Sequence, residues 1–265
     1  TDAITYANGQ EDCTVTLLQN VTTPNSYITG PFTLDLNGHK ANVLTVGEEV
    51  YKDENGNSIL EKTIPGYLTL TDSSENKTGA VYSLALKAGT LDISNAYVPD
   101  LKCESGGTVT ASGHIDRNTD GGASPDGMIS WSISGNLTIN NAVTFGEAHL
   151  SSKVNGSITV TGGTFGTVTF KNSDNGKTTI SGGTFKQITS LGDSPEGTPL
   201  VNLLAEGYAF HDSTNAVQSG TETALSNVTV KTHTHNFTDG KCACGLETIV
   251  SDNQGNYYST LQAAL

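Results

Sequence analysis

Between residues 137 and 190 the same short extended segments return every twenty residues, and few folds can satisfy that constraint. Ile158-Thr159-Val160 returns as Thr178-Thr179-Ile180, and Leu137-Thr138-Ile139 precedes it by twenty-one residues. Phe145, Phe165 and Phe185 form a second set, each twenty apart. Ala148-His149-Leu150, Val168-Thr169-Phe170 and Ile188-Thr189-Ser190 form a third. Three extended segments per repeat, always in phase, describe one turn of a three-sided coil. The intervals are too short and too glycine-rich for helices. An antiparallel sandwich has no need of one fixed period, whereas stacked coils do.

The first segment can be followed upstream through Val109-Thr110-Ala111, Leu91-Asp92-Ile93, Leu68-Thr69-Leu70 and Leu34-Asp35-Leu36. Its outer positions are almost all apolar and its middle one is Thr or Asp, so alternate residues point inward and outward. Each fully buried Leu or Ile contributes roughly 1.5–3 kcal/mol. Two residues after each segment stands Gly38, Asp72, Asn95, Gly113, Asn141, Gly162 or Gly182. These residue types accept positive φ most readily, which predicts a sharp corner at one fixed place in every coil. The expected fold is all-β: a right-handed parallel β-helix, a three-sided solenoid of eight to ten coils of about 20 residues with inserted loops.

Composition agrees with many short strands joined by tight turns. Glycine is high at 30 residues, proline is only 7, and charged residues make up 15% of the chain, below the usual quarter. Asp and Glu number 27 against 13 Lys and Arg, a formal charge of −14. With no basic cluster, nucleic acid and anionic membrane surfaces are excluded as partners. Arg117 is the only arginine, and no run of 18 apolar residues exists to cross a membrane as a helix.

Irregular spacing divides the chain. Residues 1–226 read as the β-helix, with a short cap at 1–8, a first coil strand at 13–21 and inserted loops at 47–65 and 114–128. Residues 227–256 read as a C-terminal segment bearing His and Cys. Residues 257–265, with Leu261 and Leu265 four apart, read as the start of a helix or of a following module. Residue 1 already begins an ordinary polar segment, as in a mature or trimmed secreted chain and equally in a cytosolic one, and the abrupt end suggests a chain cut from something longer.

Two groups of residues carry ligand chemistry. His233, His235, Cys242 and Cys244 supply two imidazoles and two thiolates, a sound tetrahedral zinc set. Cys-x-Cys is tighter than the usual knuckle spacing, and a Cys242–Cys244 or longer-range disulfide is the competing reading. Four ligands leave no open position, so such a zinc is structural. Asp116, Asn118 and Asp120, followed by Gly121, match the first half of a calcium loop. Position 12 of that loop is Gly127, which leaves a weak calcium site or a plain solvated loop as its readings. Cys13 and Cys103 read as buried small hydrophobes, and Trp131 as a core or coil-edge residue. No catalytic residue is assigned. Asp35 and Asp92 are expected in one outward column but nearly 10 Å apart, slightly beyond the reach of a hydrolase carboxylate pair.

Several of these runs resemble the large β-helical surface proteins of gut Firmicutes, whose coils belong broadly to the pectate-lyase-like class. The likeness rests on Thr14-Val15-Thr16-Leu17-Leu18-Gln19-Asn20-Val21 and on Leu34-Asp35-Leu36-Asn37-Gly38-His39. It rests also on Leu68-Thr69-Leu70-Thr71-Asp72-Ser73-Ser74, on the Gly-Gly-Thr-Phe repeats ending at Phe165 and Phe185, and on the closing Tyr-Ser-Thr-Leu-Gln-Ala-Ala. It covers roughly residues 13–210 and the last nine.

The resemblance implies an extracellular location at the cell surface or cell wall. The leading reading is a structural or adhesive, non-catalytic module with partners among glycans, host surface proteins and neighbouring modules of the same chain; the inserted loops are either its contact face or surface insertions that the fold tolerates. Similar proteins carry His-x-His followed by Cys-x-x-Cys-Gly at such a boundary, and this chain departs by one residue between the cysteines. An extracellular carbohydrate-active enzyme on the same coils is the alternative. Its lyase form would need an Arg or Lys base beside Asp-bound calcium, and the sole arginine lies in a loop.

Overall fold

A computed structural model describes residues 2–22, 27–54, 57–115, 128–140, 143–192, 197–247, 250–251 and 257–258. The chain winds as a right-handed parallel β-solenoid with two long faces and a short third side. The first face stacks Cys13–Thr16, Pro31–Asp35, Gly66–Thr71, residues 89–94 and 107–112, Asn136–Ile139, Ser157–Val160 and Lys177–Ile180. The second stacks Lys40–Val46, residues 80–86 and 100–103, Ile129–Ile133, and the later parts of Thr144–Ser152, Thr164–Asn172 and Thr184–Leu191. All these pairings are parallel. Parallel ladders need crossovers, and here the remainder of each coil is the crossover.

Alternation along each strand sorts side chains inward and outward, and stacking turns them into columns. The first face sends Phe32, Leu68, Leu91, Val109, Leu137 and Ile158 inward as one column. The second contributes Leu44, Leu84, Leu101, Trp131, Leu150 and Phe170. The Phe145, Phe165 and Phe185 rings stack as the twenty-residue period predicts, with centroids 5.6 and 4.7 Å apart and planes within 11°. Trp131 stands edge-on to Phe145 at 5.5 Å, and its indole N–H donates to the Val98 carbonyl at 2.7 Å. It is therefore a core residue whose one polar atom is satisfied.

One outward column of the first face runs Thr14, Thr33, Thr69, Asp92, Thr110, Thr138, Thr159 and Thr179. This register corrects one expectation. Thr33, not Asp35, is the partner of Thr69, so Leu34-Asp35-Leu36 slips two residues from its expected place. A two-residue slip keeps the same side chains inside, and Phe32, Leu34 and Leu36 are all buried, so hydrophobicity alone cannot choose. Polar bonding chooses. The Asp35 carboxylate accepts from the Asn37 and Ser73 amides at 3.0 and 2.9 Å and from the Ser73 hydroxyl at 2.7 Å. Asp35 and Asp92 consequently share no column.

The corners also differ from expectation. Gly38, Asn95 and Gly113 have positive φ as expected, but in later coils the left-handed residue is Gly163 or Gly183, one position further on. Gly182 is required for space: a Cβ there would lie 2.3 Å from the Thr161 carbonyl oxygen. A stronger glycine constraint operates at the opposite corner. Gly30, Gly66, Gly89, Gly107, Gly135, Gly156 and Gly176 each open a first-face strand, and a Cβ on any of them would fall 1.9–2.8 Å from its nearest neighbour. Most of those neighbours are backbone atoms.

The expected loop at 47–65 is a β-hairpin, Glu48–Glu54 against Asn57–Ile64, anchored at its base by Lys87 to Glu49 at 3.1 Å. The expected loop at 114–128 falls almost wholly outside the described residues. The helix Asp2–Ala7 covers the first coil with Ile4 and Ala7, and Asn8 ties it down by accepting from the Thr29 and Gly30 amides. At the other end, Ala224–Thr232 runs antiparallel along Thr184–Leu191 and ends the parallel ladder. The expected division at 226–227 falls inside this strand. Tyr257–Tyr258 pairs antiparallel with Val250–Ser251 rather than opening a helix, and residues 259–265 lie outside the described set.

Gly156→Ala, which would set its Cβ 2.0 Å from the Ile133 carbonyl oxygen, is expected to cost about 1–3 kcal/mol by overpacking, read as a lower urea midpoint at unchanged slope. Burial pushes the Asp35 carboxyl up, but the Ser73 and Asn37 hydrogen bonds and the Lys77 charge outweigh it and hold it below the usual carboxylate value. The stability this contributes is complete above the unfolded carboxyl value of about 3.9 and is lost as pH falls through the folded one. Urea midpoints measured across that acid range should show a steeper decline for the parent than for Asp35→Ala.

Candidate metal centre

The C-terminal segment folds back on its own backbone. After Thr232 the chain stays extended, the His233 amide donates to the Gly207 carbonyl at 2.7 Å, and His233 and His235 project from alternate positions of one side. Asp239 and Gly240 both take positive φ and close a two-residue hairpin between Phe237–Thr238 and Lys241–Cys242, the geometry an Asp-Gly pair favours. A second tight turn follows. The Gly245 amide donates to the Cys242 carbonyl at 2.9 Å, and Gly245 has φ 93°. That turn brings the two thiols of the short Cys-x-Cys spacing together.

The result is one compact cluster. One ligand atom from each of His233, His235, Cys242 and Cys244 lies within 4.8 Å of all the others. His233 Nε2 is 3.1 Å from Cys242 Sγ, and His235 Nδ1 is 3.4 Å from Cys244 Sγ. Zn–S bonds of about 2.3 Å and Zn–N bonds of about 2.0–2.1 Å in a tetrahedron place ligand atoms roughly 3.3–3.8 Å apart. The cluster therefore needs only small side-chain adjustments to hold a metal ion. Both cysteines are buried and both histidines half-buried. All four cysteines carry free thiols, so neither a Cys242–Cys244 bridge nor a Cys13–Cys103 bridge forms.

Electrostatics suit the donor set. Burial lowers the pKa of both histidines, and for His233 the neighbouring His235 and His211 lower it further. Neutral imidazoles keep a lone pair for a metal. Burial, together with the adjacent Cys242, pushes the Cys244 thiol up to about 11. Without a cation Cys244 stays protonated, and a bound metal would displace that proton.

His211 adds a third imidazole that no local motif announces. It is 93% buried, since its exposure is 7%, and its ring lies 6.2 Å from that of His233. Its Nδ1 lies 3.2 Å from the Asn215 carbonyl, which can only accept, and its buried Nε2 has no hydrogen-bond partner among the described residues. The nearest apolar support is small: Ala209, Cys242 and Cys244, with Val217, Phe237 and Leu246 against them.

The other expected site residues fall outside what the structure describes. Asp116, Asn118 and Asp120 lie outside the described residues, as do Arg117 and Gly127. Cys13 is half-buried against the first coil, and Cys103 is buried in a core column between Leu86 and Ile133. Comparison of the chain with protein-family models, with curated proteins and with solved structures returns no match.

Burial pushes the Cys103 thiol up to about 11, so it should stay unlabelled by a maleimide in the folded protein at pH 8 and react fully in denaturant. Peptide mass spectrometry of the two samples measures the contrast.

Proposed function

We propose that this chain is a non-catalytic structural or adhesive module of a bacterial cell surface, in which a structural zinc clamps the C-terminal segment over the last coil. The observation that carries the reading is the position of the His/Cys cluster. It directly follows the strand Ala224–Thr232, which covers the open edge of Thr184–Leu191. A solenoid must close its final coil, because exposed edges and apolar columns invite further association. Four protein ligands suit a closed structural site and leave no position for substrate. His233, His235, Cys242 and Cys244 would hold the ion, with His211 beside His233 as an acceptor for an orienting proton.

The surface location and the glycan or host-protein partners rest on the resemblance of the coil sequences to β-helical surface proteins of gut Firmicutes. The alternative is a glycoside hydrolase, which the aspartates of the first face do not favour. Such an enzyme needs two carboxyl groups about 5–9.5 Å apart. Asp12 precedes the first rung of the first face and Asp92 lies on the fourth, three strand spacings or about 14 Å apart. Asp35 is committed to the Ser73 and Asn37 hydrogen bonds.

Protein purified without chelator should contain one zinc per chain by plasma emission, and Cys242→Ser with Cys244→Ser should lose it. A chelator should lower the thermal midpoint of the parent but not of that variant, and falling pH should release the metal as its ligands protonate. A folded, metal-free parent that also ignores added zinc would remove the clamp. Release of reducing sugar from soluble polysaccharides would remove the non-catalytic reading.

A further inference from the structure

The coil stack has a second recognition feature, far from the His/Cys cluster and distinct from the inserted loops. Across the first four rungs of the first face lies an open trough of about 420 Å³, lined by Asp12, Pro31, Thr33, Tyr67, Thr69 and Asp92 among others. That volume is within the range of small-molecule and oligomer sites. Two outward columns make its floor. One is the threonine column that includes Thr33, Thr69 and Asp92. The other runs Pro31, Tyr67, Thr90, Thr108, Asn136, Ser157 and Lys177.

Tyr67 is the only aromatic residue in those two columns, and it stands in the trough with 46% of its surface exposed. Its neighbours Gly66 and Leu68 are buried, so a rigid strand presents the ring to solvent. An exposed tyrosine amid hydroxyls has no folding role that the core columns leave unfilled. A ring that offers a large apolar face at small entropic cost is suited to stacking.

We propose that this trough binds a neutral glycan, with Tyr67 as the platform for one sugar ring. A pyranose has an apolar C–H face and a rim of hydroxyls. The face lies on Tyr67. The rim meets Thr33 and Thr69, each able to donate one hydrogen bond and accept two, and Asp92, which accepts only. Two carboxylates in the trough and a net charge of −14 exclude polyuronates and nucleic acids. Because the floor is a fixed β-ladder, little is ordered on binding. The proposal rests on the reading of the chain as a binding module and does not depend on the metal.

Affinity electrophoresis and calorimetry with soluble β-glucan, xylan, galactomannan and starch test it, with polygalacturonate as the anionic comparison. The parent should be retarded by at least one neutral polysaccharide, with little change at high salt and no reducing sugar released. Tyr67→Ala should weaken binding about tenfold or more, equivalent to at least about 1.4 kcal/mol. Tyr67→Phe should stay near the parent. Thr159→Ala, on the same column beyond the trough, should have no effect. Circular dichroism and urea midpoints for each variant separate lost binding from lost folding. Failure of every neutral polysaccharide to bind, parent-like affinity in Tyr67→Ala, or preference for polygalacturonate would each overturn the proposal. Binding with sugar release would instead leave the trough standing and overturn the non-catalytic reading.

Discussion

The solenoid depends on how closely one coil's backbone passes the next at the corner entering the first face. Strands in a sheet sit about 4.8 Å apart, and a corner pulled in to that spacing has no room for a side chain against the coil below. Seven successive rungs answer with glycine. At Gly89 the intruding atom would be the Gly66 carbonyl oxygen, at Gly135 that of Gly107, and at Gly156 that of Ile133. Because every rung turns at the same place, every strand starts in the same phase. In-phase starts place Leu on Leu and Phe on Phe, and the core is the sum of those columns.

What the stack cannot supply is its own end. Toward the last rung two inward columns lose apolar character, Thr178 following Ile158 and Ser190 following Phe170, while Ile180, Phe185 and Ile188 keep the others apolar. The terminal coil therefore offers its cover less hydrophobic grip than the middle coils offer one another. The strand Ala224–Thr232 meets it with Val228 and Val230, both buried in the main core, and the turns beyond it rest on a small cluster around Ala209, Cys242 and Cys244. Segments with so little core are commonly stapled by metal or disulfide. The N-terminal end solves the same problem differently, with Ile4 and Ala7 buried and Asn8 bonded into the first corner.

How much of this the sequence discloses depends on how local each constraint is. The twenty-residue period shows because coils 137–190 have no insertions, and Phe145, Phe165 and Phe185 then align by counting. The register at 32–36 does not show, since Phe32, Leu34 and Leu36 satisfy the core equally and the decision rests with Ser73, some forty residues on. Glycine after each strand draws attention by type, but the closer approach is before the strand, where the glycines follow no common dipeptide. His233, His235, Cys242 and Cys244 are legible because one hairpin gathers them within twelve residues. His211 is invisible to the same reading, because it reaches the cluster through the antiparallel pairing of Tyr208–His211 with Ala224–Thr232. The hairpin at 48–64 does not show in the sequence because its apolar residues, exposed Tyr51, Ile59 and Leu60 among them, follow no alternation of the kind by which a half-buried strand is recognised.

The outward faces follow from the same geometry. A flat parallel ladder favours β-branched residues in every rung, and threonine supplies that shape with a hydroxyl on the solvent side. A column of threonines is thus first a consequence of strand propensity and solubility. Folding accounts for the residues that fit that column and not for the one that departs beside it. Tyr67 adds exposed aromatic surface where Pro31, Thr90 and Thr108 show that smaller residues suffice. Its position within the trough, flanked by hydroxyls, sets an apolar ring face beside a rim of donors and acceptors.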